Sequence, residues 1–136
     1  MAAKKAERVL VDEWRNLLAV HARTQCELDR ELHRHGLGAS DFEVLDVLAE
    51  GGASESGASY RVQEISERVH LSQSALSRLI GRLEKDGLVT RCVCSQDRRG
   101  VSVTLTPRGR ELRDEVLPLQ RAVLRRMLAG GGTDCS

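Results

Sequence analysis

The stretch LSQSALSRLIGRLEKDGLVTRCVCSQDRRGVSVTLT, residues 71–106, decides the fold that we expect for this chain. An amphipathic segment comes first and ends at Asp86-Gly87, because glycine favours the backbone that closes a helix. Two β-favouring runs follow, residues 88–94 and 101–105, and an arginine-containing turn separates them. A helix that can enter a DNA groove, followed by a hairpin with arginine at its tip, predicts a winged helix-turn-helix.

The amphipathic segment begins after Ser72, a good helix cap, and has two different faces. Its apolar residues follow the i, i+3, i+4, i+7 pattern of a buried stripe: Leu76, Leu79, Ile80 and Leu83. The opposite face is small, polar and basic, with Ser74, Ser77, Arg78, Gly81, Arg82 and Lys85. Small polar residues near the start of such a helix can approach base edges, and arginines can reach guanine or phosphate.

The segments before and after this unit are mainly helical in pattern. We expect a long first helix at about residues 6–35, with apolar residues close to heptad spacing. A second helix should start at Ser40, which forms a capping-box pattern with Glu43. A third covers about residues 63–69, and His70 then falls in a turn that needs a left-handed backbone.

Charge and composition narrow the class of protein. The net charge is only +1, but residues 61–110 hold 10 Lys and Arg against 5 Asp and Glu, as a polyanion-binding surface requires. No apolar run is long enough to span a membrane, and the polar N-terminus is unlike a signal peptide, so we expect a cytoplasmic protein. The sequence has no phosphate-binding loop, nucleophile elbow or paired-histidine motif, which argues against an enzyme, a cofactor or a metal site.

Two blocks closely resemble the MarR family of bacterial transcriptional regulators: RVHLSQSALSRLIGRLEKDGLV and DRRGVSVTLTPRG. The spacing from recognition helix to wing to Thr106-Pro107 agrees throughout, and the flanking helices follow the family order. The resemblance implies a mainly α fold, with a small β-hairpin wing and flanking dimerisation helices. Residues 1–136 would form a single domain, with dimerisation helices at about 6–35 and 107–128, a DNA-binding lobe at about 40–106 and a flexible tail at 129–136.

The resemblance also implies a function and a set of DNA-contacting residues. A homodimer would place two lobes in successive major grooves of a pseudo-palindromic operator, and a small-molecule effector would release a repressor by changing the distance between its recognition helices. The positions that match the family's base-facing residues are Gln73, Ser74, Ser77 and Arg78. Arg82 corresponds to a phosphate contact and Arg99 to the wing arginine, with Asp97 steadying it and Arg98 as a second candidate at the tip.

One departure from the family pattern concerns the end of the chain. Family members usually continue with another helix that completes the dimer interface. This sequence ends in Ala-Gly-Gly-Gly-Thr-Asp-Cys-Ser after the Pro107 helix. We therefore expect a smaller interface than is usual for the family.

Two alternatives stay open on the sequence alone. Cys26, Cys92 and Cys94 make an oxidant a candidate effector, since some MarR relatives sense oxidants through cysteine, although structural or incidental thiols are the simpler interpretation. The chain could also be a winged-helix protein-interaction module, or an anti-regulator, that does not bind operator DNA. The basic face of the fourth helix favours the DNA-binding interpretation.

Overall fold

A winged helix-turn-helix unit sits between two long helices. The computed structural model describes residues 2–51, 59–93 and 101–129. Its elements, in chain order, are α1 (Ala2–Leu32), α2 (Ala39–Gly51), β1 (Ser59–Arg61), α3 (Val62–Val69), α4 (Gln73–Lys85), β2 (Val89–Val93), β3 (Val101–Leu105) and α5 (Pro107–Leu124). A 3-10 turn (His33–His35) follows α1, and a π-helical turn (Arg125–Ala129) follows α5. No helix in the described ranges is both long and apolar enough to cross a membrane.

The first helix starts earlier and ends earlier than its apolar spacing predicts. It is α-helical from Ala2 to Leu32, whereas residues 33–35 form the 3-10 turn. Gly36 then adopts a left-handed backbone with φ of 73°, which a residue without a Cβ adopts at little cost. The predicted end at about residue 35 is therefore confirmed for the helical segment as a whole, and only its last turn differs in type.

The predicted cap of α2 is wrong. The helix begins at Ala39, so Ser40 lies inside its first turn. Two carboxylates accept the free backbone N–H groups instead: Asp41 Oδ2 accepts from Gly38 at 2.8 Å and Asp29 Oδ1 from Ala39 at 2.7 Å. Negative charge suits the N-terminal end of a helix better than a neutral hydroxyl does, which accounts for the shifted start.

The small sheet is antiparallel in the order β1-β3-β2. Tyr60 pairs with Val103 on one side of β3, and Arg91 pairs with Val103 on the other. β2 and β3 form the predicted hairpin, and β1 adds a third, short strand on the other side of β3. The hairpin tip, residues 94–100, lies outside the described residues, and so do the predicted sites Asp97, Arg98 and Arg99.

The core lies between α2, α3, α4 and the sheet. Phe42, Leu45 and Leu48 of α2 are fully buried and belong to the same core cluster as the apolar stripe of α4. At the start of α5, a Cβ on Gly109 would collide with the backbone oxygen of Leu88. Only glycine therefore lets this helix approach the beginning of β2 so closely.

Ion pairs bind α5 to the winged lobe. Asp46 of α2 is buried, and its Oδ1 accepts from Arg113 Nη2 at 2.9 Å while its Oδ2 accepts from Arg121 Nη2 at 3.0 Å. A buried carboxylate needs such partners, because an unpaired charge in the interior is costly. The two arginines are about two turns apart on α5, so Asp46 fixes the angle at which that helix leaves the lobe.

Candidate nucleic-acid interface

The turn between α3 and α4 has the geometry that the sequence predicts. His70 adopts a left-handed backbone with φ of 58° and donates its N–H to Ser66 O at 3.0 Å. Ser66 Oγ in turn donates to Leu71 O at 2.9 Å. Ser72 Oγ accepts from the N–H of Ala75 at 3.2 Å and caps α4, which confirms its predicted role. These local bonds set the start of α4 relative to α3.

The two faces of α4 separate as predicted. The stripe of Leu76, Leu79, Ile80 and Leu83 is at most 5% exposed. The side chains of Gln73, Ser74, Ser77 and Arg78 all face solvent from the first two turns. Packing of the apolar stripe thus presents donors and acceptors in a row along the free face of α4, as base reading in a major groove requires.

The two arginines of this face differ in their surroundings. Within the described residues, the Arg78 guanidinium has no hydrogen-bond or ion-pair partner, so it is free to bind a ligand. Arg82 instead pairs with the buried carboxylate of Asp41 through Nη2. Its side chain is still 58% exposed. The pair therefore orients Arg82 while leaving part of its guanidinium accessible to a phosphate.

Arg91 of β2 is a functional candidate that the sequence analysis missed. Its Nη2 donates to the backbone oxygen of Ser77 at 3.3 Å, and its Nε lies 3.3 Å from Glu84 Oε1. It thereby joins the wing strand to α4. The alternation Val89, Arg91, Val93 was the available signal, because it puts a charged residue on the strand face that carries buried Val89.

Gly81 is explained by this arrangement. A Cβ at Gly81 would lie 3.2 Å from Arg91 Nη2, closer than an ordinary contact. In the sequence, Gly81 falls on the outer, polar face predicted for α4. The structure adds that the position accommodates a guanidinium group from the wing.

The candidate redox residues are only partly described. Cys26 on α1 and Cys92 on β2 are free and exposed, as reaction with an oxidant requires. Cys94 lies outside the described residues.

Comparison with known proteins agrees with this geometry. The sequence profile of the MarR family matches residues 35–100. The transcriptional repressor MdtR of Bacillus subtilis is 29% identical over 126 residues, which are 93% of this chain and 77% of MdtR.

Two crystal structures from Streptomyces coelicolor are also similar. AbsC, a MarR family transcriptional regulator, is 33% identical with a TM-score of 0.75, over 86% of this chain and 76% of AbsC. Sco3205, a family regulator solved in complex with DNA, is 31% identical with a TM-score of 0.77, over 91% of this chain and 74% of Sco3205. The fold, the helix-turn-helix geometry and these relatives agree that the chain belongs to the MarR family of winged helix-turn-helix transcriptional regulators.

Proposed function

We propose that the chain is a sequence-specific repressor that binds a pseudo-palindromic DNA operator as a homodimer in the cytoplasm. The observation that carries the proposal is the free face of α4, where Gln73, Ser74, Ser77 and Arg78 are exposed while the opposite face is buried. In this proposal, those four side chains read base edges and Arg82 contacts a phosphate. Arg91 fixes the wing strand against α4 through Ser77 and Glu84.

The proposed dimer rests on an apolar stripe along the first half of α1. Its side chains are 47–65% exposed: Val9, Leu10, Trp14, Leu17 and Leu18. Leu128, beyond α5, is 49% exposed. A row of large apolar residues at helical spacing is costly to leave in water, and a second copy of the same stripe would cover it. The dimer would then hold two α4 helices at a fixed separation, as an operator with two half-sites requires.

Repression and its release complete the proposal. MdtR is a transcriptional repressor by name, and Sco3205 was solved with DNA. A small molecule would release the operator by changing the distance between the two recognition helices. Since both must enter grooves about one helical turn apart, a modest change in spacing weakens binding sharply.

Paired arginine substitutions test the DNA-binding face. Arg78→Ala should lower operator affinity by about tenfold and relax the preferred base at one position, because it removes a base contact. Arg82→Ala should weaken binding to all sequences alike. Arg34→Ala, in the exposed 3-10 turn after α1, removes the same charge away from this face. If Arg34→Ala weakens binding as much as Arg78→Ala in fluorescence anisotropy, the face assignment is wrong.

A separate prediction concerns the wing. Arg99→Ala should weaken DNA binding and make its salt dependence shallower, because a narrow minor groove attracts an inserted arginine. Asp97 and Arg98 would support it at the tip. Unchanged binding in a gel-shift titration would contradict the role proposed for Arg99.

A protein-interaction module remains the second candidate function, and salt dependence separates the two. A DNA-binding protein loses affinity for duplex steeply as salt rises, because binding releases cations from the phosphates and this release is less favourable at high salt.

Oxidation is the second candidate trigger of release. If oxidation is the trigger, peroxide should release the parent protein from its operator. Among the variants Cys26→Ser, Cys92→Ser and Cys94→Ser, the one that lacks the sensing thiol should stay bound.

A further inference from the structure

Two aspartates lie on either side of the turn that leads into α2. Asp29 Oδ1 accepts from the N–H of Ala39 at 2.7 Å. Asp41 Oδ2 accepts from the N–H of Gly38 at 2.8 Å. Both oxygens lie within 3.5 Å of the place that a Cβ on Gly38 would occupy. Only the Asp41 carboxylate also reaches the proposed DNA-binding face, where its Oδ1 accepts from Arg82 Nη2.

The Asp41 carboxylate is a fixed point of the lobe. The residue is 6% exposed, and its neighbour Phe42 is fully buried in the core. The N–H of Phe42 donates to Gly38 O at 3.1 Å, which closes the first turn of α2. Core packing and backbone hydrogen bonds therefore set the position of Asp41, and the arginine that binds it takes its orientation from there.

Arg82 is held by this carboxylate and is still open to a ligand. Its side chain is 58% exposed. A guanidinium has five N–H donors in a planar fork, and the bond to Asp41 uses only Nη2. Arg78, one turn earlier on α4, has no hydrogen-bond or ion-pair partner among the described residues. The same face thus carries one adaptable arginine and one that is held at a set angle.

The stability of α4 does not explain the ion pair. Packing of the apolar stripe, which is at most 5% exposed, already fixes the helix. An ion pair with an exposed partner contributes little to stability. An acidic group beside a DNA-binding face also repels phosphates, which weakens the attraction to every duplex. Asp41 is therefore a cost to DNA binding unless holding Arg82 brings a gain of its own.

We propose that Asp41 is a positioning residue that raises the preference for operator over other DNA. It holds Arg82 in line with one operator phosphate, and its negative charge weakens the attraction of the same face to DNA docked in any other way. This inference rests on the DNA-binding role proposed for α4 and names a residue that sets the selectivity of that face.

The physical basis is the difference between a held and a mobile arginine. Phosphate contacts fix the register of a protein on the duplex. A side chain that is already held in its bound orientation loses little conformational freedom on binding. The gain is limited to the complex in which a phosphate lies where Arg82 points. A mobile arginine would instead follow the phosphates of any duplex.

Asp41→Asn breaks the pair with the smallest change in shape. A carboxylate accepts through both oxygens, whereas an amide has one oxygen and an NH2 group that only donates. Asn at this position cannot accept from both Gly38 and Arg82. The backbone donor is fixed and the exposed arginine can turn to solvent, so Arg82 is released. Asp29→Asn is the matched control, because it removes the same charge on the other side of Gly38 and its one oxygen can still serve Ala39.

Anisotropy titrations with two duplexes measure the preference. One duplex is the site enriched from random DNA, and the other is a shuffled duplex of the same length and composition. Asp41→Asn should lower affinity for the first about fivefold, the equivalent of one hydrogen bond. It should raise affinity for the second about twofold, as loss of one exposed repulsion implies. The preference should therefore fall about tenfold, whereas Asp29→Asn should keep the preference of the parent.

The Arg82→Ala background separates positioning from a structural role of the α2 cap. Without the arginine, Asp41→Asn should leave the preference unchanged, because the acid has nothing to position. An equal loss of preference in both backgrounds, or an equal loss in Asp29→Asn, would overturn the proposal. Circular dichroism at the assay temperature checks that each variant is folded.

Arg82→Lys tests the same idea without altering Asp41, and it remains informative if Asp41→Asn does not fold. Lysine keeps the charge at an exposed position, but a single ammonium group lacks the planar fork that holds a fixed angle between carboxylate and phosphate. The operator preference should fall as it does in Asp41→Asn. A parent-like preference in Arg82→Lys would contradict the inference.

The parent protein distinguishes failure of this inference from failure of the proposed function. If the parent prefers the enriched duplex and folded Asp41→Asn prefers it equally, the proposed function stands and the role of Asp41 fails. If the parent prefers no duplex over its shuffled control, both fail.

Discussion

The apolar stripes of α4 and α1 follow the same helical spacing, but the first is buried within the chain and the second is exposed to solvent. Leu76, Ile80 and Leu83 of α4 are at most 1% exposed, whereas Leu10 and Leu17 of α1 are 65% and 59% exposed. The first stripe is part of the core cluster that it forms with α2, α3 and the sheet of the same chain. Helical periodicity therefore indicates that a face will be buried, and the fold decides whether the same chain or another one buries it.

The difference assigns separate tasks to the two regions. The lobe around α4 closes its own core, so it can hold the DNA-reading face in a fixed orientation. The stripe on α1 is left for a partner, which we propose is a second copy. Substitutions in the α4 stripe should therefore destabilise the fold, whereas those in the α1 stripe should weaken the proposed dimer.

The largest effect is expected from a matched pair of leucine truncations. Leu76→Ala leaves a cavity in the closed core and should cost about 2–5 kcal/mol of unfolding free energy. That loss should be the same at every protein concentration. Leu17→Ala should destabilise the protein only where dimers form, so its effect should depend on concentration. Urea denaturation at two protein concentrations distinguishes the two variants. A loss of unfolding free energy in Leu76→Ala that depends on protein concentration would contradict the comparison.

A charge on the exposed stripe should break the dimer while sparing the lobe. Leu17→Glu is expected to give a folded monomer by light scattering and circular dichroism, because two copies would place like charges together. Its affinity for a full operator should fall on the order of 100-fold, since the second half-site no longer binds intramolecularly. The neighbouring Asn16→Glu adds the same charge at an exposed position outside the stripe, and it should stay dimeric.

A smaller effect is expected where the wing meets α4. Arg91→Ala removes the contacts to Ser77 and Glu84, and operator affinity should fall by about fivefold, the equivalent of a modest hydrogen bond. Thr90→Ala, at the adjacent exposed position, is the control. Equal affinities for the two variants in anisotropy titrations would show that Arg91 does not position the wing.

The smallest effect concerns Glu43 and pH. Its pKa is raised in the folded state, mainly by desolvation, so its stabilising contribution is present below the unfolded pKa and is lost as pH rises through the folded pKa. Glu43→Gln should therefore be slightly more stable than the parent at neutral pH. The gap should close as pH falls through the folded pKa of Glu43, and thermal melts across acidic pH measure it. A gap that widens toward acid would have the wrong sign.

Much of the fold was predictable because local signals and tertiary packing agree. The stripe and cap of α4, the left-handed His70 and the Gly36 stop all follow from preferences of the residues themselves. The start of α2 was not predictable in this way, since Asp29 on α1 helps to cap it from ten positions upstream. Long-range partners of this kind leave no local pattern.

The residues of the candidate site differ in predictability for the same reason. The exposed positions of Ser74, Ser77 and Arg78 followed from helical periodicity, whereas Gln73 came from the family resemblance. Arg82 and Arg91 depended on partners elsewhere in the chain, Asp41 on α2 and Ser77 on α4. Periodicity could predict that these two arginines lie near the surface, but only the folded arrangement shows what they contact.

Selection of bound duplexes from random DNA requires both the reading face of α4 and the pairing of two copies, so it is the decisive test of the proposed function. We expect a two-fold symmetric site with half-sites roughly 10 base pairs apart. Affinity for that site should fall steeply as salt is raised. Enrichment of a single, unpaired half-site, or retention of DNA without sequence preference, would contradict it.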